Sequence, residues 1–131
     1  MTAVSRRVAL SLLATVFCSM TAYAVDATKT LKPTFISLGD FTINLPDDSP
    51  MAYVIIGVTI EVAPETAGDM NDIAPRLKDL CTSRLMAMAA QGLLAPGHTD
   101  LVMIKTSLFD GISRLRPNAA REVLITRLLY G

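Results

Sequence analysis

The sequence has 131 residues, 51% of them hydrophobic and 18% charged, with twelve basic and twelve acidic side chains and no Trp. That length accommodates one small domain and excludes a multidomain enzyme or a large α/β barrel. Balanced charge removes the long-range attraction on which nucleic-acid binders rely, and the apolar content is too high for intrinsic disorder.

The N-terminus reads as an export address. Arg6 and Arg7 precede an apolar run from Val8 to Phe17, and Ala22-Tyr23-Ala24 supplies the small-x-small pattern of a signal-peptidase site. A retained anchor is the other reading, since Val8 to Val25 is close to the shortest apolar stretch that crosses a bilayer core. Ser11, Thr15, Ser19 and Thr21 weaken it as a lasting span, and Thr15-Val16-Phe17 before Cys18 lacks the small residue of a lipobox. Either outcome exports the remaining chain, because Arg6 and Arg7 stay in the cytoplasm. Residues 1–24 are therefore a signal-like or signal-anchor segment, 25–33 a linker and 34–131 a domain. After cleavage only Cys81 would remain, which leaves no intramolecular disulfide to support the fold.

Phe35 to Leu38 is expected to form a brief strand halted at Gly39-Asp40. Phe41, Ile43 and Leu45 then alternate with Thr42 and Asn44 as a second strand. Pro46-Asp47-Asp48-Ser49-Pro50 is turn chemistry. Val54, Ile56, Val58, Ile60 and Val62 share one face of a long strand, with Tyr53, Ile55, Gly57, Thr59 and Glu61 on the other. Such a β-branched run predicts a central strand, dry on one side and partly covered on the other, in a hairpin with Phe41–Leu45. Pro64 and Gly68 stop it, and Asp69 to Asp72 closes a loop.

Two helices follow. Ile73, Leu77, Leu80, Cys81, Leu85 and Met88 mark the apolar stripe of the first, which begins between Asn71 and Pro75 because Pro fits only a first turn. Gly92 ends it. Thr99 is expected to cap the second helix, with Asp100 favourable against its positive end. Leu101, Ile104, Leu108, Ile112 and Leu115 form its stripe, Pro117 terminates it, and Val123 to Tyr130 is a last strand. Strands, two helices and a strand predict an α+β domain: an antiparallel sheet with two helices packed on one face.

Charge is unevenly spread along the chain. Asp26 to Asp72 holds eight acidic residues against Lys29 and Lys32, whereas Ile73 to Gly131 holds eight basic and four acidic. The pattern fits ordinary solvated faces, or an acidic and a basic side suited to head-to-tail packing in a ring or filament.

Groups that titrate or attack are scarce. His98, the one histidine, sits in a Pro-Gly turn near Asp100 with no nucleophile motif beside it. Cys81 lies on the apolar helix stripe, where a small buried hydrophobe is expected. One His and one Cys do not make a structural zinc site, and Asp69-Met70-Asn71-Asp72 lacks the alternating oxygens of a calcium loop. Asp47-Asp48 reads as a solvated turn. Gly92 to Thr99 has the spacing of a P-loop, but His98 stands where Lys is required and Pro96 deletes a donor. No catalytic, cofactor-binding or metal residue is assigned.

From Phe35 onward an ordered set of segments resembles the periplasmic domain of the flagellar basal body-associated FliL family. Phe41-Thr42-Ile43-Asn44-Leu45 resembles the family's Phe-x-Val-Asn-Leu strand, and Tyr53 to Val62 its long apolar strand. Pro75-Arg76-Leu77-Lys78-Asp79 is similar to the Pro-x-Ile-Arg-Asp helix start, and Gly97 followed by Leu101 to the entry of the next helix. Val123-Leu124-Ile125-Thr126 is similar to the closing strand. The resemblance implies a non-enzymatic, single-pass inner-membrane protein with a stomatin-like periplasmic domain. It further implies self-association beside the stator units and support of flagellar rotation and motility. The implied partners are stator and basal-body proteins, further copies of the chain, and the inner membrane through the N-terminal segment, with no nucleic acid and no cofactor. The contact surface is expected on Arg76, Lys78, Arg114 and Arg116 and at the acidic turn Asp47-Asp48. A free periplasmic adaptor or binding module, released by cleavage at Ala24, is the alternative. A small periplasmic enzyme requires His98 and Asp100 to share a pocket.

Overall fold

The computed structural model describes residues 32–131. Residues 1–24, with Arg6, Arg7, Cys18 and the Ala22-Tyr23-Ala24 pattern, and most of the linker 25–33 lie outside the described residues.

Strand β1 (Thr34–Asn44) pairs antiparallel with β2 (Tyr53–Val62), which pairs antiparallel with β3 (Ala120–Tyr130), giving the sheet order β1-β2-β3. Between β2 and β3 lie a 3-10 turn (Pro64–Thr66) and helices α1 (Ala67–Asp72), α2 (Ala74–Ala90) and α3 (Leu101–Leu115). The chain is thus α+β: one three-stranded antiparallel sheet and three helices among the described residues.

The alternation in β2 fixes the layers. Val54, Ile56, Val58, Ile60 and Val62 are each at most 1% exposed, and each contributes about 1.5–3 kcal/mol by leaving water. They meet Leu77, Cys81 and Leu85 of α2 and Ile104, Leu108 and Ile112 of α3, all fully buried. Helix α2 lies over β1 and α3 over β3. No helix among the described residues lies on the opposite sheet face, which carries Phe35, Tyr53 and Leu129 exposed.

Three expectations are corrected. The two short strands on either side of Gly39 are one strand: the pairing passes from Ser37–Thr59 to Gly39–Val58, leaving Leu38 as an extra, buried residue. Gly39 has φ +87, so the glycine that reads as a stop serves a bulge instead. The loop after β2 is the 3-10 turn followed by α1, because burial of Met70 in the core coils the segment back toward β1. Strand β3 also starts at Ala120, three residues earlier than the apolar run from Val123, since pairing with Val62 extends it.

Helix α2 starts at Ala74 with Pro75 in its first turn. At its end the amides of Gly92 and Leu93 turn back onto the carbonyls of Ala89 (3.0 Å) and Met88 (3.0 Å), satisfying two orphan acceptors. No helix among the described residues is long and apolar enough to cross a membrane.

Candidate functional site

The residues with chemical potential are engaged locally. Asp100, rather than Thr99, caps α3: its Oδ1 accepts from the amides of Val102 (2.9 Å) and Met103 (3.4 Å). Thr99 Oγ1 instead lies 3.1 Å from the Ala95 carbonyl oxygen and donates its proton to the hydroxyl of Tyr130. Tyr130 in turn donates to the Leu94 carbonyl at 2.9 Å, tying the α2–α3 connection to the last strand. No hydrogen bond or ion pair joins His98 to Asp100 among the described residues. His98 lines a crevice of ≈ 430 Å³ that it shares with Asp48, Ser49, Pro50 and Pro96.

The segment with P-loop spacing turns its donors inward. The amides of Gly92, Leu93, Ala95 and His98 bond the carbonyls of Ala89, Met88, Gly92 and Ala95, so they do not converge on an anion. Leu94 at its centre is fully buried. Cys81 is likewise buried in the core, and desolvation raises its thiol from an ordinary 9.0 to about 11. A thiol held so firmly protonated is a poor nucleophile and a poor metal ligand. Among the described residues no group of three His, Cys, Asp or Glu side chains could hold a metal ion.

What the surface offers is shape, apolar area and charge. Arg76, Lys78, Arg114 and Arg116 are exposed, as are Asp47 and Asp48. The structure does not gather them at one point. Arg76 and Lys78 begin α2, Arg116 follows the end of α3, and the acidic turn is at the far end of the β1–β2 hairpin. Arg114 is already paired: its Nε and Arg84 Nη1 each lie 3.3 Å from Asp110 Oδ2, in a network that also reaches the Ser107 carbonyl.

Both lateral edges carry a groove that mixes apolar with polar side chains. Beyond β3, an open groove of ≈ 260 Å³ runs between Lys105, Thr106 and Phe109 of α3 and Arg121, Glu122 and Val123 of the strand. Val102, 71% exposed, continues the Thr106–Phe109 line at helical spacing. Beyond β1, a second groove of ≈ 400 Å³ lies between Ile43 and Leu45 of the β1 side and Thr82, Met86, Ala89 and Ala90 of α2. Met86 stands 58% exposed at its rim. Val102, Phe109 and Met86 carry no signal of this in the sequence: each falls on the wet side of its helix, and only the sheet order shows that side to be a molecular edge.

No family model matches this chain, and no curated protein matches it.

Proposed function

We propose that this chain is a non-enzymatic component of the flagellar basal body, associated with the stator units and supporting flagellar rotation and motility. One observation carries the reading. The segments that resemble the FliL family occur in family order, and each falls on a separate element of a single α+β domain. Phe41–Leu45 closes β1, Tyr53–Val62 is β2, Pro75–Asp79 opens α2, Gly97 to Leu101 leads into α3, and Val123–Thr126 lies in β3. On this reading the domain is stomatin-like, faces the periplasm from a single inner-membrane anchor in residues 1–24, and acts by contact with stator proteins and with copies of itself. Exposed apolar side chains, Val102 and Met86 among them, support a role by contact.

The deciding experiment is deletion of the gene in its own host, followed by swimming and flagellation assays. Flagellated cells that swim poorly, restored by the full chain, are expected. Normal swimming by flagellated cells would defeat the assignment.

Ala22-Tyr23-Ala24 favours a second reading, a free periplasmic adaptor released by cleavage after Ala24. Cell fractionation with N-terminal sequencing separates the two: a soluble chain starting at Val25 supports the adaptor, and an uncleaved chain in the membrane fraction supports the anchored protein.

A further inference from the structure

We infer that the crevice between the β1–β2 turn and the α2–α3 connection is a docking site for a basic segment of another protein, a Lys or Arg flanked by apolar residues. The inference goes beyond the reading above and does not depend on it, since an anchored motor component and a released adaptor would present the same crevice.

The crevice, ≈ 430 Å³, lies between Pro46, Asp48 and Pro50 on one wall and Pro96 and His98 on the other. Both walls are held in place before any partner arrives. Pro46 and Pro50 fix φ in the turn, where the Ser49 amide donates to the Pro46 carbonyl at 2.9 Å and the Leu45 amide to the Ala52 carbonyl at 2.8 Å. On the facing wall the His98 amide donates to the Ala95 carbonyl at 3.0 Å, and the Tyr130 hydroxyl holds the Leu94 carbonyl from β3. A site built in this way spares its ligand the cost of ordering it.

Its chemistry selects a cation on an alkyl stem. Three proline rings offer apolar walls to the methylenes of a Lys or Arg, and the Asp48 carboxylate offers the charged head a partner. Asp40, Asp110 and Glu122 are already paired, whereas no ion pair among the described residues engages Asp48 or its neighbour Asp47. The neutral imidazole of His98 adds an acceptor nitrogen.

The surroundings of the crevice point the same way. Strands β1 and β3 end here, β2 begins here, and α2 passes to α3 here. Residues 44–54, 86–104 and 128–131, which make up this end, hold no Lys or Arg and three Asp, of which Asp100 is turned to its helix amides. That charge disfavours an acidic protein, a nucleic acid or an anionic bilayer and attracts a basic partner. Six of the nine large hydrophobics exposed among the described residues, Met51, Tyr53, Leu101, Val102, Met103 and Leu129, also belong to this end. A partner with apolar side chains beside its cation therefore has surface to cover.

The test uses the purified full-length chain at physiological ionic strength, where weak surface attraction is screened. The probe is a short fluorescein-labelled peptide of alternating Leu and Arg, followed by anisotropy, with Leu–Glu and Leu–Ser peptides of the same length as comparisons. The Leu–Arg peptide is expected to bind tighter than either by about tenfold or more. Asp47→Asn combined with Asp48→Asn should weaken it by about fivefold or more, and so should His98→Lys, which seats a cation in the crevice. Asp69→Asn combined with Asp72→Asn removes the same charge from α1, at the far end of the sheet, and should leave the affinity unchanged. All five side chains are exposed, so unchanged far-UV dichroism confirms the folding of each variant. A Leu–Arg peptide that binds no tighter than its comparisons would overturn the inference. So would equal weakening by the two Asp pairs, which assigns binding to net charge, or full affinity in His98→Lys. None of these outcomes bears on swimming, so the crevice and the motor assignment stand or fail separately.

Discussion

Thr99 and Asp100 are both good capping residues and stand side by side, so the local sequence leaves the start of α3 ambiguous by one position. A partner 31 residues away decides it: the Tyr130 hydroxyl holds Thr99, and Asp100 is left to receive the helix amides. Asp100→Ala should therefore cost about 1 kcal/mol, a fall of several degrees in Tm. Thr99→Val should leave the cap intact and lose the tie to β3. The two effects separate in combination with Tyr130→Phe: Thr99→Val should be less than additive with it and Asp100→Ala additive, read from denaturant curves of all combinations. Additivity in both pairs would dissolve the Thr99–Tyr130 link. Cys81 gives the one pH dependence to argue at this scale. Its thiol rises to about 11 in the fold from 9.0, so the folded chain holds the proton more tightly than the unfolded one. The associated stability is complete below pH 9.0 and is lost as pH climbs through about 11, by roughly 2–3 kcal/mol in all. Cys81→Ala removes the thiol at every pH. The wild type should therefore lose more stability between pH 8 and 11 than the variant does, and equal losses would count against the buried thiol.

Among the elements, β2 was the most legible, because a run of alternating β-branched residues states both its conformation and its dry face. Strand β1 was less so. A glycine ends a strand or opens a bulge with the same positive φ, and only pairing with β2 shows which happens at Gly39. The short helix α1 was illegible for a different reason: six residues are too few to show a period, and its cause is the tertiary burial of Met70. Leu101 fits the α3 stripe by spacing yet is 46% exposed, since the first turn overhangs the end of the core. The feature of the sheet with the least local signal is Gly57. On the open face, Asp40 of β1 and Arg127 of β3 join across the middle strand, with Arg127 Nη1 donating to Asp40 Oδ2 at 3.0 Å. Side chains two strands apart reach each other only if the residue between them has none. A Cβ at Gly57 would lie 2.8 Å from Asp40 Oδ1, 2.7 Å from Thr126 Oγ1 and 3.0 Å from the Arg127 Cβ. Gly57→Val should destabilise the domain by about 1–3 kcal/mol despite the higher strand propensity of valine. Asp40→Asn, which breaks only an exposed pair, should cost no more than about 1 kcal/mol. A Gly57→Val variant as stable as the wild type would show that the close approach constrains nothing.

For the molecule as a whole, the core is one connected cluster to which every strand and helix contributes: Leu38 from β1, Ile56 from β2, Met70 from α1, Leu85 from α2, Leu108 from α3 and Val123 from β3. Among the described residues it holds no buried polar side chain and its one cysteine has no disulfide, so apolar packing is the main bond between sheet and helices, supplemented at the periphery by the Thr99–Tyr130 contact and the Lys105–Glu122 pair. The sequence conveyed the composition of this core well and the surface poorly. Which residues line an edge depends on sheet order, a long-range property that no window of sequence contains, and this is why Val102 and Met86 escape a reading that finds Ile60 and Leu108. A single shared core also has a thermodynamic signature. If sheet and helices are stable only together, unfolding is all-or-none. Far-UV dichroism, dominated by the helices, and fluorescence of Tyr53 and Tyr130, which sit on the sheet, should then trace one denaturation curve; a Tyr23→Phe background silences the remaining tyrosine. Ile60→Ala in the sheet should shift both probes together, by about 2–5 kcal/mol, and so should Leu108→Ala in α3. Were the helices to melt first, with the tyrosines unmoved and Ile60→Ala felt by one probe alone, the layers would be separate cooperative units and the apolar seam between them too weak to define the fold.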